Sequence, residues 1–291
     1  MNSFEAPRPR KSFFVNKGSS LLSLVSLVGC GFILMPTWTQ ASVAATVASP
    51  FSYNFTTDGS LVESYNANLS TSPYWVVNSG GRMSITEGRG KTVHGELPEA
   101  DYWRNLYAQA NPLDTDNGYH PQNIFRLVGR SKWEDFRQQA YFKITKNQLS
   151  SSPNRNASNG VLLFNRYKDS ANLYYTGLRV DGYAIIKKKV NGQYYTLGSV
   201  KVFPGSYSTS GNPNLLPKNT WLGVRSEVVD NPNGSVSIKL YTDIGWKGVW
   251  KLVAEAVDTG TSGPIVSGAG FGGIRTDFMD VVFDAYKIEK L

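Results

Sequence analysis

From Phe51 onward, apolar and polar positions alternate with a period of about two and not of about 3.6. Runs of β-branched and aromatic residues are broken by clusters of Gly, Asn, Pro and Ser, which is the signature of strands and turns. The runs are Phe51–Thr56, Tyr74–Asn78, Arg82–Thr86, Asn123–Val128, Phe136–Ile144, Gly160–Arg166, Leu173–Val180, Tyr183–Val190, Tyr194–Val202, Thr220–Val229, Ser235–Tyr241, Leu252–Asp258, Gly268–Arg275 and Val281–Ile288. Pro98–Ala110 has room for one short helix. Leu149–Ser158 and Pro204–Pro217 are rich in Ser, Asn and Pro. Strand signals continue on both sides of each, so they read as long loops inside one domain.

The clearest alternation is Phe136–Ile144. Phe136, Ala140, Phe142 and Ile144 share one face, which belongs to a core. Arg137, Gln139, Tyr141 and Lys143 share the other, a polar and aromatic strip that can line a sugar groove. Two dipeptides organise the middle of the chain. Asp181-Gly182 and Asn191-Gly192 each lie between a pair of strand-like runs, and both accept the positive φ angles of a two-residue type I′ turn. Residues 173–202 are therefore predicted to form a three-stranded meander. These two-residue turns fix the register: Val180 faces Tyr183 and Val190 faces Gln193. One sheet face then carries Tyr175, Lys188 and Tyr195, and the other Tyr174, Lys189 and Tyr194.

The first 45 residues follow a different pattern. A basic start is followed by an apolar stretch from Leu21 to Met35, then by Ala41, Ser42, Ala44 and Ala45. This is the order of a secretory signal peptide, with cleavage expected between Ala41 and Ala45. Ser23, Ser26 and Gly29 break the apolar stretch, which argues against a permanent span. Leu27-Val28-Gly29-Cys30 offers an alternative, because it resembles a lipobox that would leave the protein anchored through Cys30. The apolar run continues through Phe32, Ile33 and Leu34, which favours simple export to a secreted or periplasmic location.

Removing the leader leaves about 245 of the 291 residues, one large β-sandwich in size. Four basic residues (Arg8, Arg10, Lys11, Lys17) and Glu5 leave with it. Of the overall +8, +3 is removed and +5 stays. That excess suits an acidic partner such as a uronate polysaccharide, and it equally suits ordinary solubility. No Lys/Arg stripe or nucleic-acid motif accompanies it. Cys30 is the single cysteine, so its loss would leave no disulfide and no thiol chemistry.

Further along, Asn165-Arg166-Tyr167, Leu173 to Arg179, Asp181-Gly182, Lys187 to Lys189 and Val190-Asn191-Gly192 follow one another in a recognisable order. Thr220-Trp221, Arg225, a glycine-rich return at Gly268–Gly273, Arg275-Thr276 and Phe283-Asp284 come after them. Together they resemble the LamG-like, concanavalin A-like modules of secreted bacterial polysaccharide-active proteins. The resemblance implies an all-β jelly-roll sandwich of two antiparallel sheets. It also implies binding of, or action on, extracellular polysaccharide, and it does not choose among lectin, appended module, hydrolase and lyase. Arg137, Gln139, Tyr141, Lys143, Arg166, Tyr175, Lys188 and Tyr195 are the candidate carbohydrate-binding residues. Many members hold a structural Ca²⁺, for which Asp284 with Asp58 or Glu63 would supply hard oxygen ligands. The other reading of Asp284 is a hydrogen-bonding residue at a strand crossing.

Catalytic signals are sparse. The two histidines, His94 and His120, form no metal motif. No Glu-x-Asp-x-x-Glu run places the paired carboxylates of a retaining glycosidase. A lyase needs a cation or amide against the uronate carboxylate and a Tyr or His to move the proton. His120, Tyr141, Arg137 and Gln139 are the candidates, with Tyr119, Gln122 and Arg126 nearby in sequence, but the alginate-lyase signatures are absent. Three classes therefore stand: a free-standing carbohydrate binder, a polysaccharide lyase or hydrolase, and a structural envelope protein.

Overall fold

The computed structural model describes residues 40–291; the basic start, the apolar stretch and Cys30 lie outside the described residues. The chain forms a jelly-roll sandwich of two antiparallel sheets. The strands in chain order are β1 (Phe51–Tyr53), β2 (Gly59–Val62), β3 (Trp75–Ser79), β4 (Arg82–Thr86), β5 (Arg89–Lys91), β6 (Ile124–Trp133), β7 (Phe136–Asn147) and β8 (Gly160–Asp169). They continue with β9 (Asn172–Arg179), β10 (Tyr183–Val190), β11 (Gln193–Lys201), β12 (Trp221–Asp230), β13 (Val236–Ile244), β14 (Lys251–Asp258), β15 (Gly270–Asp277) and β16 (Met279–Lys290). The nine-stranded sheet runs β14-β13-β12-β7-β16-β5-β4-β2, with β1 added on β16. The seven-stranded sheet runs β11-β10-β9-β8-β15-β6-β3.

Every run read from the sequence contains a strand. Two short strands, β2 and β5, carry too little alternation to be seen. The expected short helix is α1 (Tyr102–Ala110), started by Asp101, whose carboxylate accepts the Trp103 amide at 2.8 Å. No described helix is long and apolar enough to cross a membrane.

The core lies between the sheets. Phe136, Ala140, Phe142 and Ile144 of β7 bury against Val161, Leu163, Leu178 and Ile186 from the facing sheet. Fully burying one such side chain stabilises by about 1.5–3 kcal/mol. Gln138, at an inward position of β7, bonds to the Phe164 carbonyl and Asn165 Oδ1 of β8. Ser226 Oγ of β12 donates to the same Asn165 oxygen at 2.7 Å. This satisfied polar bridge ties one sheet to the other.

The meander corrects one expected register. Between β10 and β11, Val190 pairs with Gln193 across Asn191 (φ 49°) and Gly192 (φ 81°), as a type I′ turn requires. Between β9 and β10 the ladder is shifted by one residue. Leu178 pairs with Ala184, Tyr175 with Lys187 and Tyr174 with Lys188. Val180 leaves the ladder because its amide bonds the Asn159 carbonyl and its own carbonyl takes the Leu215 amide. The loop thus holds three residues, closed by the Gly182 amide on the Arg179 carbonyl at 2.8 Å. A one-residue slip exchanges the two faces of a strand. Tyr174, Lys188 and Tyr195 therefore face the sandwich interior, while Tyr175, Lys187, Lys189 and Tyr194 face outward.

Candidate functional site

Lys188 and Arg166, both expected to meet sugar, are enclosed. The Lys188 ammonium donates to Asp258 Oδ1 at 2.9 Å and to the Gly263 carbonyl at 2.7 Å, and neither side chain of the pair reaches solvent. Tyr174 donates to the other Asp258 oxygen at 2.6 Å. Arg166 fills a bulge of β8 and pairs with Asp135 and Asp230, tying two turns together. Tyr195 is half-buried against the core with Lys188 over its ring, so it offers little to a ligand.

The strip Arg137, Gln139, Tyr141 and Lys143 does face outward from β7, as expected. Most of its polar groups are already partnered. Glu289, Arg137, Glu227, Lys239 and Glu255 form one cross-strand row of alternating charge. Arg137 bonds Glu227 at 2.6 Å and Glu289 at 3.4 Å within it. Gln139 Oε1 accepts two bonds from Arg225. Tyr141 donates to Asp243 at 2.7 Å and is roofed by Trp246, the ring centroids 4.3 Å apart and 6° from parallel. Burial and the Asp243 carboxylate raise its phenol well above the usual range. Lys143 lies over Trp221.

His120 is elsewhere, in the turn before β6. Its Nδ1 meets Asp116 at 2.8 Å and its Nε2 is 4.0 Å from Glu96. It borders an open depression of about 700 Å³. Asp116 also takes the Ser150 hydroxyl and the Asn123 amide, so this histidine helps lash two loops together. The four catalytic candidates therefore do not converge: His120 stands apart from Tyr141, Arg137 and Gln139. Asp284 accepts its neighbour's amide from Ala285, and burial raises its carboxyl's pKa. Asp58 is exposed, directly before β2. Among the described residues no group of three or more His, Cys, Asp or Glu is placed to hold a metal ion.

The outer face of the seven-stranded sheet is built differently. Val128, Leu162, Phe164, Tyr167, Leu173, Tyr175 and Ile185 form a second, smaller apolar cluster there, joined by Phe271. Arg126 of β6 stands directly opposite Arg275 of β15. Like charges across a ladder are unfavourable. Burial works against the Arg275 charge, but Asp277 (2.8 Å) with Tyr194 and Tyr175 more than offset it and raise its pKa. Arg126 has no carboxylate within ion-pair distance among the described residues, and burial and Arg275 lower its pKa.

Tyr194 reaches into this cluster from β11. Strands β11 and β15 are four ladder steps apart, roughly 19 Å at ~4.8 Å per step. Tyr194 stacks edge-on to Tyr175 of β9 at 6.1 Å, and the charges of Arg275 and Arg126 act on its phenol across the face. Burial alone would raise the Tyr194 phenol; Arg275, Lys189 and Arg126 outweigh it and bring the pKa below 10.0. Lys187 and Lys189 complete the rim. The result is one exposed ring, Tyr194, over buried Tyr175 and Tyr167, with an excess of positive charge around it, suited to a ring-shaped ligand carrying an anion.

Of these residues, Tyr175 and the Arg126 and Arg275 segments were visible in the sequence. Their meeting depends on the β6–β15 pairing, which no local signal specifies.

No family model matches the chain, and no curated protein matches it. Among solved structures, the chain is similar to a carbohydrate-binding module (CBM66) from Bacillus subtilis, at 15% identity and TM-score 0.47, covering 74% of this chain and 95% of that one. It is similar to the winged bean acidic lectin complexed with methyl-α-D-galactose, at 12% identity and TM-score 0.46, covering 82% and 97%. It is also similar to the β-glucanase of Bacillus licheniformis, at 12% identity and TM-score 0.43, covering 84% and 100%. At these identities the likeness is one of fold.

Proposed function

We propose that the protein is an exported binder of acidic polysaccharide, and that the chain of sugar residues lies on the outer face of the seven-stranded sheet. One observation carries this: Arg126, half-enclosed and without an ion-pair partner among the described residues, faces Arg275 across the ladder beside Tyr167, Tyr175 and Tyr194. A cation kept opposite another cation without an ion pair costs stability, and a carboxylated sugar would offset that cost. Tyr194, 45% exposed above the buried Tyr175 and Tyr167, supplies the apolar face on which a pyranose ring stacks. The leader pattern in residues 1–45 supports export, with anchoring through Cys30 as the alternative.

The test is binding of polygalacturonate and alginate to the wild type and to Arg126→Ala. The variant is expected to lose at least about tenfold in affinity, ~1.4 kcal/mol. Its stability should stay within about 1 kcal/mol of the wild type, because a like-charge pair is relieved. Equal binding by Arg126→Ala, or no binding of either polymer by the wild type, sinks the proposal.

The Tyr194 phenol supports a second reading, a lyase on the same face. Its phenolate would take the proton from C5 of a uronate whose carboxylate rests on Arg126 and Arg275. The electron pair would form the C4–C5 double bond, and the C4–O bond would break, its oxygen taking a proton. Because Arg275 and Lys189 lower the phenol's pKa, the rate should climb as pH rises through a midpoint below that of an ordinary phenol. Ultraviolet absorbance of unsaturated ends reads this directly. Product formation that survives in Tyr194→Phe excludes Tyr194 as the base.

A further inference from the structure

The hairpin loop between β13 and β14 folds back over the outer face of the nine-stranded sheet. Asp243 holds it there: its oxygens accept the Lys247 amide at 3.0 Å, the Gly248 amide at 2.7 Å and the Tyr141 hydroxyl at 2.7 Å. Trp246, between Gly245 (φ 91°) and Lys247, sits at φ 56°, a conformation bulky residues rarely adopt. Such strain persists where the surrounding structure enforces it, and it clusters at functional sites.

The enforced geometry lays one indole face of Trp246 flat on Tyr141 and sets Trp221 edge-on at 4.7 Å. Gly223 lies beneath the tile; a Cβ there would stand 2.8 Å from the Tyr141 ring and 2.9 Å from Trp250. Trp250 is covered by Arg225, and Trp221 by Lys143 and Arg89. Trp246 is 38% exposed, so its outer face is the open ring of this cluster.

We propose that Trp246 heads a second carbohydrate site, which stacks a neutral, equatorially hydroxylated pyranose of a β-linked glycan. Such a ring presents flat C–H faces of indole size. Lys143, Arg89 and Asp284 around the tile match its hydroxyls. A neutral ring fits because the cations here are engaged: Lys143 and Arg89 lie on Trp221, Arg225 on Trp250 and Gln139, and Arg137 is neutralised by Glu227 and Glu289.

Titration with cellohexaose and xylohexaose tests it, read by tryptophan fluorescence and calorimetry. The wild type is expected to bind at least one of the two, and Trp246→Ala to lose at least about tenfold in affinity. Trp246→Phe keeps a ring on Tyr141 and should retain some of the binding, which separates lost stacking from a collapsed loop. Arg126→Ala should bind these neutral probes as the wild type does, so failure of the acidic-polysaccharide reading leaves this one standing. Absence of binding by the wild type overturns the proposal, as does unchanged binding in Trp246→Ala. Light scattering that shows Trp246 holding two copies of the chain together overturns it too.

Discussion

Lys188 keeps its ammonium in the sandwich interior, between Asp258 and the Gly263 carbonyl and next to Tyr174. Removing one partner of a buried ion pair strands the other charge away from water. Lys188→Ala should therefore destabilise by roughly 3–5 kcal/mol. Lys188→Met combined with Asp258→Asn removes both charges and should recover much of that loss. Urea unfolding of the wild type and both variants checks this; a cost below ~1 kcal/mol for Lys188→Ala would mean the site is wetter than its enclosure indicates. Arg126 makes the opposite case. It is the cation whose removal should cost the fold little and the ligand much. Residue type alone does not separate the two, because both are cations within strands beside tyrosines.

At the scale of elements, the two glycine turns of the meander contrast. The Asn191-Gly192 turn closes on itself, and Asn191→Gly should leave stability within about 0.5 kcal/mol, since a type I′ turn accepts glycine at both central positions. Gly182 is held by what packs on it. At φ 83°, a Cβ there would stand 2.4 Å from the Phe203 carbonyl oxygen. Gly182→Ala should cost about 2 kcal/mol or more, from backbone strain together with overpacking. Denaturant midpoints of the two variants compare them directly. If Gly182→Ala proves neutral, the Phe203 carbonyl does not pack on this loop as closely as its position indicates.

For the whole molecule, the sandwich separates two surfaces of different electrostatic character by a common core. Binding at the arginine face should weaken steeply as salt rises, because exposed charge attraction is screened within about 8 Å at physiological ionic strength. Stacking on Trp246 should change little over the same range. With both faces active, the wild type should carry soluble polygalacturonate onto insoluble cellulose, and neither Arg126→Ala nor Trp246→Ala should do so. Co-sedimentation by either single variant would show that one face takes both polymers. The described start of the chain also joins the domain. The Ser42 and Ala45 amides bond the Ser70 and Pro73 carbonyls, and Arg130 donates to the Ser42 carbonyl at 2.7 Å.

The sequence by itself determined the all-β class, nearly every strand, the inward face of β7 and the Asn191-Gly192 hairpin. Each of these rests on local physics: two-residue periodicity, and dihedral preferences confined to a dipeptide. The β9–β10 register departs from that of a two-residue turn because Asn159 and Leu215, distant in sequence, claim the backbone of Val180. That single shift re-sorted the rows, setting Tyr174 and not Tyr175 beside Lys188 and Tyr195 in the interior. The tertiary structure also decided which polar groups remain available. Arg137, Gln139 and Tyr141 found partners on β12, β13 and β16, while Arg126 met another arginine across its ladder. Trp246 carries one local signal, a Gly-Trp-Lys-Gly loop between two strands. Its place on Tyr141 required the loop to fold back over the sheet. Pairing between strands far apart in sequence is a property of the closed sandwich, and so is the choice of residues left open to a ligand.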